Sequence, residues 1–128
     1  ALRRLIDTCG LPFGGKVHVD FVLGVPGSMP ATPQALLAGV AMLPAEVTSW
    51  SATGIGRGHL PVAATAVAAG GHLRVGMEDN LVFARGRQVA HNSELVSRAA
   101  QLAALMQRPA LSPEQAREML GIKERRSR

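Results

Sequence analysis

Apolar residues at every second position alternate along this chain with segments that have the spacing of helices. The two-residue period predicts strands over residues 17–25, 47–55 and 70–80. Helical patterns predict helices over residues 2–9, 32–43, 60–69, 93–107 and 113–121. Strands that alternate with helices are joined by right-handed crossovers and lie parallel, so the fold class is α/β.

Helix boundaries are marked by proline and glycine. Thr32-Pro33 and Ser112-Pro113 each provide a capping side chain followed by proline at the first helical position. Gln115 completes a capping box with Ser112, and Gly121 is placed to end that last helix. Residues 82–91 match neither period, and we predict an irregular segment there.

The two faces of the predicted strands distinguish between α/β architectures. One face of each strand is apolar, whereas the other carries His18 and Asp20, or Arg74 and Glu78. A doubly wound sheet has helices on both faces and favours continuously apolar strands, while a barrel can place polar side chains inside. We therefore expect part of a (β/α)₈ TIM barrel.

Chain length limits how much of such a barrel is present. Three strands do not close a barrel, and a complete one takes about 250 residues. The 128 residues are therefore expected to be roughly half of one TIM-barrel domain, about three parallel βα units plus a preceding helix. We expect the other half to precede Ala1.

The segment GGHLRVGMEDN, residues 70–80, ends a predicted buried strand on charged side chains. Because side chains alternate along a strand, one face of this strand is apolar and carries Leu73, Val75 and Met77. The opposite face carries His72, Arg74, Gly76 and Glu78. Gly76 leaves space between Arg74 and Glu78 for a ligand or a close backbone, and Asp79 follows directly. Because buried carboxylates need partners, these charges indicate either a functional site or a structural ion pair between Arg74 and Glu78.

Composition excludes several classes of protein. A hydrophobic content of 47% with 18% charged residues excludes a disordered chain. No apolar run reaches the roughly 20 residues of a membrane span, and no secretory signal is seen, so a soluble, cytoplasmic protein is expected. The single cysteine, Cys9, excludes an internal disulfide and favours a buried or incidental thiol over a nucleophile.

The net charge of +5 is concentrated near the end of the chain. After residue 84 there are nine basic and four acidic residues, and residues 122–128 form a basic tail. The chain has three phenylalanines, one tryptophan and no tyrosine, which are too few for a platform on which bases stack. A solvated basic surface is therefore favoured over nucleic-acid binding. The nucleic-acid alternative predicts salt-dependent binding that is lost when residues after Gly121 are removed.

Several segments, in order, carry a resemblance to a known family. They are FVLGVPGSMPAT at residues 21–32, Trp50-Ser51 with GIGR at residues 54–57, GGHLRVGMEDN, Asn92 with Glu94-Leu95-Val96, and AREMLG at residues 116–121. Together they cover nearly the whole chain, which resembles the beta-keto acid cleavage enzymes, zinc-dependent TIM barrels. The resemblance implies that residues 1–128 are the C-terminal half of that barrel, with its sixth to eighth strands.

The resemblance also implies roles for the charged residues. Glu78 matches a zinc ligand, Asp79 a catalytic base, and Arg74 the residue that orients that acid and the substrate. The implied reaction condenses a beta-keto acid with acetyl-CoA and cleaves the product to acetoacetate and a new CoA thioester. Zinc would act there as a Lewis acid.

Part of the family's site has no counterpart in this sequence. The family's two histidine zinc ligands, with a glutamate and a serine that contact substrate, come from early strands. The histidines present, His18, His59, His72 and His91, lack the short spacing of a zinc pair and are predicted to be structural or superficial. We therefore expect the chain alone to be inactive and to require the missing half-barrel, from the parent polypeptide or another subunit.

Glycine-rich loops follow the first two strands. Gly24 and Gly54 lie where backbone amides can contact phosphate or CoA groups, although turn geometry alone also explains glycine there. Arg57 is predicted to contact an anionic ligand, or else to form a surface ion pair, and Trp50 is predicted to be in the core.

A second reading assigns no catalysis to the chain. A half-barrel leaves strand edges exposed, and two copies could cover them by pairing. The alternative is thus a non-catalytic module that self-associates. A homo-oligomer is expected on either reading, and no membrane partner is expected.

Overall fold

Three parallel strands form the central sheet, in the order β1, β2, β3. The computed structural model describes residues 1–12 and 15–122. The strands of this sheet are β1 (Val17–Leu23), β2 (Val47–Gly54) and β3 (His72–Leu73). The helices are α1 (Leu2–Cys9), α2 (Pro33–Ala41), α3 (His59–Ala68), α4 (Asn92–Leu105) and α5 (Pro113–Leu120). The predicted α/β class with parallel strands is confirmed.

One face of the sheet is apolar and the other polar, as the strand patterns predicted. The core cluster on the apolar face comprises Leu23 and Ala52 from the strands and Leu36, Val62 and Ala66 from α2 and α3. Trp50 packs against this cluster, which confirms its predicted place in the core. Burial of these side chains holds the two helices on one face of the sheet.

Strand register aligns the polar side chains of the opposite face. Asp20 is paired with Ser51 across β1 and β2, and Ser51 is paired with His72 across β2 and β3. Side chains of paired residues in neighbouring strands point to the same face. The three side chains therefore form one row across the sheet, and Arg74 follows two residues beyond His72.

Local signals placed the helix ends to within two residues of the observed ones. Thr32 Oγ1 accepts a hydrogen bond from the Ala35 amide at 3.2 Å, and the Ser112 capping box with Gln115 is formed. Gly121 ends α5 in the left-handed conformation, with φ of 68°. Gly24 ends β1 two residues early, because its φ of 97° turns the chain and its N–H donates to Met29 O.

The prediction of a strand through residue 80 was wrong. β3 ends at Leu73, although the Arg74 amide still donates to Ala52 O at 3.3 Å. Beyond it, the Gly76 carbonyl accepts hydrogen bonds from the amides of both Asp79 and Asn80, each at 3.2 Å. These bonds close a turn, so Glu78 and Asp79 lie on a turn after the strand and not on opposite faces of it.

The prediction of an irregular segment at residues 82–91 was also wrong in part. An antiparallel ribbon forms there from β4 (Val82–Ala84) and β5 (Arg87–Gln88). Gly86, with φ of 76°, makes the connecting turn. Phe83 lies between two guanidinium groups, those of Arg87 and Arg98, at 4.3 and 4.2 Å from the ring centre. These cation-π contacts fix the ribbon against α4.

Two other sequence expectations have definite outcomes. Cys9 is exposed at the end of α1, so it is not a buried thiol. Within residues 1–12 and 15–122, no helix combines the length and apolar character needed to cross a membrane. Residues 123–128, which make up nearly all of the predicted basic tail, lie outside the described part of the chain.

Candidate functional site

The guanidinium of Arg74 lies among three carboxylates. Its Nη2 is 3.4 Å from Asp79 Oδ2 and 3.5 Å from Glu78 Oε1. Its Nη1 is 3.5 Å from Asp20 Oδ2, across the sheet on β1. The structure thus brings together Arg74, Glu78 and Asp79, as the sequence predicted, and adds Asp20. The ion pair between Arg74 and Glu78 is present as well.

The two acids of the turn differ in exposure. The Asp79 side chain is 12% exposed, whereas that of Glu78 is 57% exposed. Asp79 Oδ2 is buried, and its contact with Arg74 lacks the geometry of a hydrogen bond. Asp79 is therefore a shielded carboxylate beside a positive charge, while Glu78 is open to solvent and to a ligand.

Gly76 determines where the Glu78 carboxylate lies. A Cβ atom on Gly76 would overlap that carboxylate. The space expected beside Gly76 therefore exists, and Glu78's own side chain fills it. Because Glu78 is largely exposed, it can leave this position without disturbing the core.

Two asparagines hold the turn on opposite sides. Asn80 Nδ2 donates to Gly54 O at 3.0 Å, and Asn80 is buried. Asn92, the first residue of α4, accepts from the Met77 amide at 2.7 Å through its Oδ1. These bonds tie the acid-bearing turn to the end of β2 and to α4. The sequence pattern did not reveal the role of Asn80, because its partner Gly54 is 26 residues away.

A hydrogen-bonded chain lies on the polar face below Arg74. Ser51 Oγ donates to Asp20 Oδ1 at 2.6 Å. His18 contacts two serines, with Nε2 3.0 Å from Ser51 Oγ and Nδ1 2.8 Å from Ser49 Oγ. The strand pattern placed His18 and Asp20 on this face, but it gave no role to the serines.

Two of the three loop residues predicted to contact CoA, Gly24 and Gly54, have structural roles. The Gly24 amide is used in the bond to Met29 that ends β1. A Cβ on Gly54 would come within 2.8 Å of Gly58 O, so this glycine permits close packing against the start of α3. Arg57 is exposed, and within residues 1–12 and 15–122 it forms no ion pair. Ligand contact by these residues stays a prediction.

Metal-ligand side chains do not gather anywhere in the described part of the chain. No three His, Cys, Asp or Glu residues there are placed to hold one ion together. The rings of His18 and His72 are 6.2 Å apart, but His18 is engaged with two serines. The described residues thus do not form a complete zinc site by themselves: Glu78 offers one exposed carboxylate, and a zinc ion there would need further ligands.

His59, the first residue of α3, is held by two contacts. Its Nδ1 is 3.1 Å from Gly56 O, and its Nε2 faces the guanidinium of Arg98. The neutral ring satisfies both, donating through Nδ1 and accepting through Nε2. Burial lowers the pKa of His59; the Gly56 carbonyl opposes this, and the charge of Arg98 adds to the lowering.

Acid should destabilise the fold through His59. Since its pKa in the folded chain is below the ordinary 6.5, the unfolded chain takes up the proton more readily. The stabilisation is complete above pH 6.5 and is lost as pH falls through the lowered folded value. Urea unfolding at pH 7.5 and 5.5 should show a smaller acid-induced loss in His59→Gln than in the unmodified chain.

His91→Gln provides the matched control, because His91 is exposed just before α4. That variant should keep the acid-induced loss of the unmodified chain. An identical loss in the chain and in His59→Gln would contradict this role of His59.

Comparison with known proteins extends to nearly all of the chain. The family described as beta-keto acid cleavage enzyme matches residues 1–122. The 3-keto-5-aminohexanoate cleavage enzyme of Acetoanaerobium sticklandii is 42% identical over 106 residues, which are 83% of this chain and 38% of that protein. The protein of the same name from Fusobacterium nucleatum is 39% identical over 107 residues, 84% of this chain and 38% of the relative.

A relative with another named reaction matches a similar share of the chain. The 3-oxoadipate:acetyl-CoA acetyltransferase of Cupriavidus necator is 36% identical over 110 residues, 84% of this chain and 39% of that protein. The chain thus spans about two-fifths of the length of these relatives. With the family match over residues 1–122, these similarities confirm the resemblance carried by the sequence motifs: the chain belongs to the beta-keto acid cleavage enzyme family.

Proposed function

We propose that this chain supplies one wall of the active site of a zinc-dependent beta-keto acid cleavage enzyme. The reaction would join a beta-keto acid to acetyl-CoA and release acetoacetate and a new CoA thioester. One observation carries the proposal: the Arg74 guanidinium contacts both Glu78 and Asp79, and these two acids lie on a turn at the carboxyl end of a parallel strand. Active sites of α/β barrels are built from the loops at that end of the strands.

The wall belongs, on this proposal, to the C-terminal half of a TIM barrel. Its sheet is parallel, with α2 and α3 packed on the apolar face and polar side chains on the opposite face. In a barrel the polar face would become the interior. The relatives are more than twice as long as the matched segment, which leaves room for the remaining strands.

Glu78 is the proposed zinc ligand. Its side chain is more than half exposed, so it can exchange its contact with Arg74 for a metal ion, while Arg74 retains Asp20 and Asp79. The remaining ligands would come from outside the described residues. A bound zinc ion supplies Lewis-acid polarisation of the ketone oxygen.

Asp79 is the proposed base, and Arg74 orients it. A carboxylate that is nearly buried and next to a guanidinium has a fixed direction, which a proton-transfer group requires. Asp79 would take a proton from the carbon next to the ketone, and Arg74 would also contact the carboxylate of the substrate. Arg57 and the loops at Gly24 and Gly54 are proposed to contact the acidic groups of CoA.

A chimera tests the proposal. This chain would replace the matching 38% of the Acetoanaerobium sticklandii enzyme, so that its acids join the rest of a working barrel. We expect acetoacetate to form when a beta-keto acid and acetyl-CoA are both present, and no product from the 128-residue chain alone. A folded chimera that binds zinc and forms no product with the relative's substrate or with 3-oxoadipate would contradict the proposal.

The alternative of a self-associating, non-catalytic module is favoured by two observations. Among residues 1–12 and 15–122, β1 and β3 each lack a second strand partner. A cleft of about 750 Å³ also opens beside β3, between the sheet and helices α4 and α5. This alternative predicts a dimer by light scattering and no zinc in the chimera. The homo-oligomer and the cytoplasmic location stay predictions.

A further inference from the structure

We propose that Asp20 is a positioning residue for Arg74, and that Ser51 and His18 hold Asp20 in place. This inference rests on the proposed function of Arg74, whose guanidinium must point at the acids of the turn. The carboxylate of Asp20 is shared between two partners. Its Oδ2 is 3.5 Å from Arg74 Nη1, and its Oδ1 accepts from Ser51 Oγ at 2.6 Å.

The chemistry of these groups fixes the direction of the hydrogen bonds. A carboxylate only accepts, so the Ser51 hydroxyl must donate to Asp20. The hydroxyl has one hydrogen, so in its 3.0 Å contact with His18 Nε2 the Ser51 oxygen accepts. His18 must therefore carry a hydrogen on Nε2, and its Nδ1 bonds Ser49 at 2.8 Å. His18 thus donates to Ser51, and Ser51 donates to Asp20. Arg74 donates to the other oxygen of Asp20.

Strand pairing makes this series of hydrogen bonds rigid. Asp20 is paired with Ser51 and His18 with Ser49 in the register of β1 and β2. Each member therefore sits on the backbone of a regular sheet. Glu78 and Asp79 instead lie on a turn. Arg74 thus joins a fixed anchor on the sheet to acids on a turn, and Asp20 is that anchor.

Charge balance alone does not explain the presence of Asp20. Glu78 and Asp79 already exceed the single positive charge of Arg74. A third carboxylate adds repulsion between like charges. What Asp20 contributes is direction, because it binds Nη1 and leaves Nη2 to face the two acids.

Nuclear magnetic resonance of the ¹⁵N-labelled 128-residue chain tests this inference. Rotation about the Nε–Cζ bond of an arginine slows when its guanidinium is held by fixed acceptors. In Asp20→Asn, which keeps the shape but loses the charge, we expect Arg74 to rotate roughly fivefold faster, and Ser51→Ala to give a smaller increase. Asp7→Asn on α1 should leave the rotation of Arg74 unchanged.

Arg108 serves as an internal control in the same spectra. Its guanidinium donates to the carbonyls of Val67, Gly70 and Gly71 at 2.7 to 2.9 Å, so its rotation reports that the fold is intact. Equal rotation of Arg74 in the unmodified chain and in Asp20→Asn, with Arg108 unchanged in both, would overturn the inference. The spectra require no turnover and no metal, so this outcome is distinct from an inactive chimera.

Discussion

An Asp79→Asn substitution in the chimera is expected to lower the rate of beta-keto acid cleavage by roughly a hundredfold to ten-thousandfold. Asparagine keeps the size of aspartate and can still face Arg74, but its amide cannot take up the proton. Asp79 is 12% exposed and lies on a turn that Asn80 tethers to Gly54, so its carboxylate has a defined position. The rate would be followed as acetoacetate formed at saturating acetyl-CoA.

Two measurements accompany this prediction. Glu114→Gln, on the exposed first turn of α5, should leave the rate unchanged. The zinc content of Asp79→Asn should equal that of the unmodified chimera, because Asp79 is not one of the proposed zinc ligands. If Asp79→Asn retained more than half of the rate, Asp79 would not be the base.

Local sequence signals predicted most of the secondary structure. Thr32, Ser112 and Gly121 act through bonds to residues within a few positions, so their effect can be read from the sequence directly. The apolar period of β1 and β2 likewise reports which face is buried. Such signals need no knowledge of the rest of the fold.

The end of β3 could not be predicted in the same way. The two-residue period continues past Leu73 as far as Met77, but the chain leaves the sheet because Asn80 bonds Gly54 and Met77 bonds Asn92. These partners are 26 and 15 residues away in the sequence, and no local pattern records them. Tertiary contacts overrode the period there.

The residues of the candidate site likewise fall into two groups, those that a local motif identifies and those that only strand pairing brings together. Arg74, Glu78 and Asp79 lie within six consecutive residues, and a single motif pointed to all three. Asp20 is 54 residues from Arg74, so its contact depends on the register of three strands. The serines were missed for that reason too, since only strand pairing places them beside His18.

A Glu78→Gln substitution is expected to remove zinc from the chimera. Carboxylates bind zinc far better than amides, and loss of one ligand from a set of three weakens the site strongly. Glu78 is exposed enough for glutamine to replace it without a change in packing, so the fold should survive. The unmodified chimera should hold about one equivalent of zinc after dialysis, and Glu78→Gln less than about a tenth.

Zinc analysis of these two proteins, with Asp79→Asn measured beside them, tests whether the adjacent acids of one turn have different tasks. If Glu78 binds the metal and Asp79 moves a proton, zinc is lost in Glu78→Gln and kept in Asp79→Asn. Full zinc in Glu78→Gln would contradict this division of tasks.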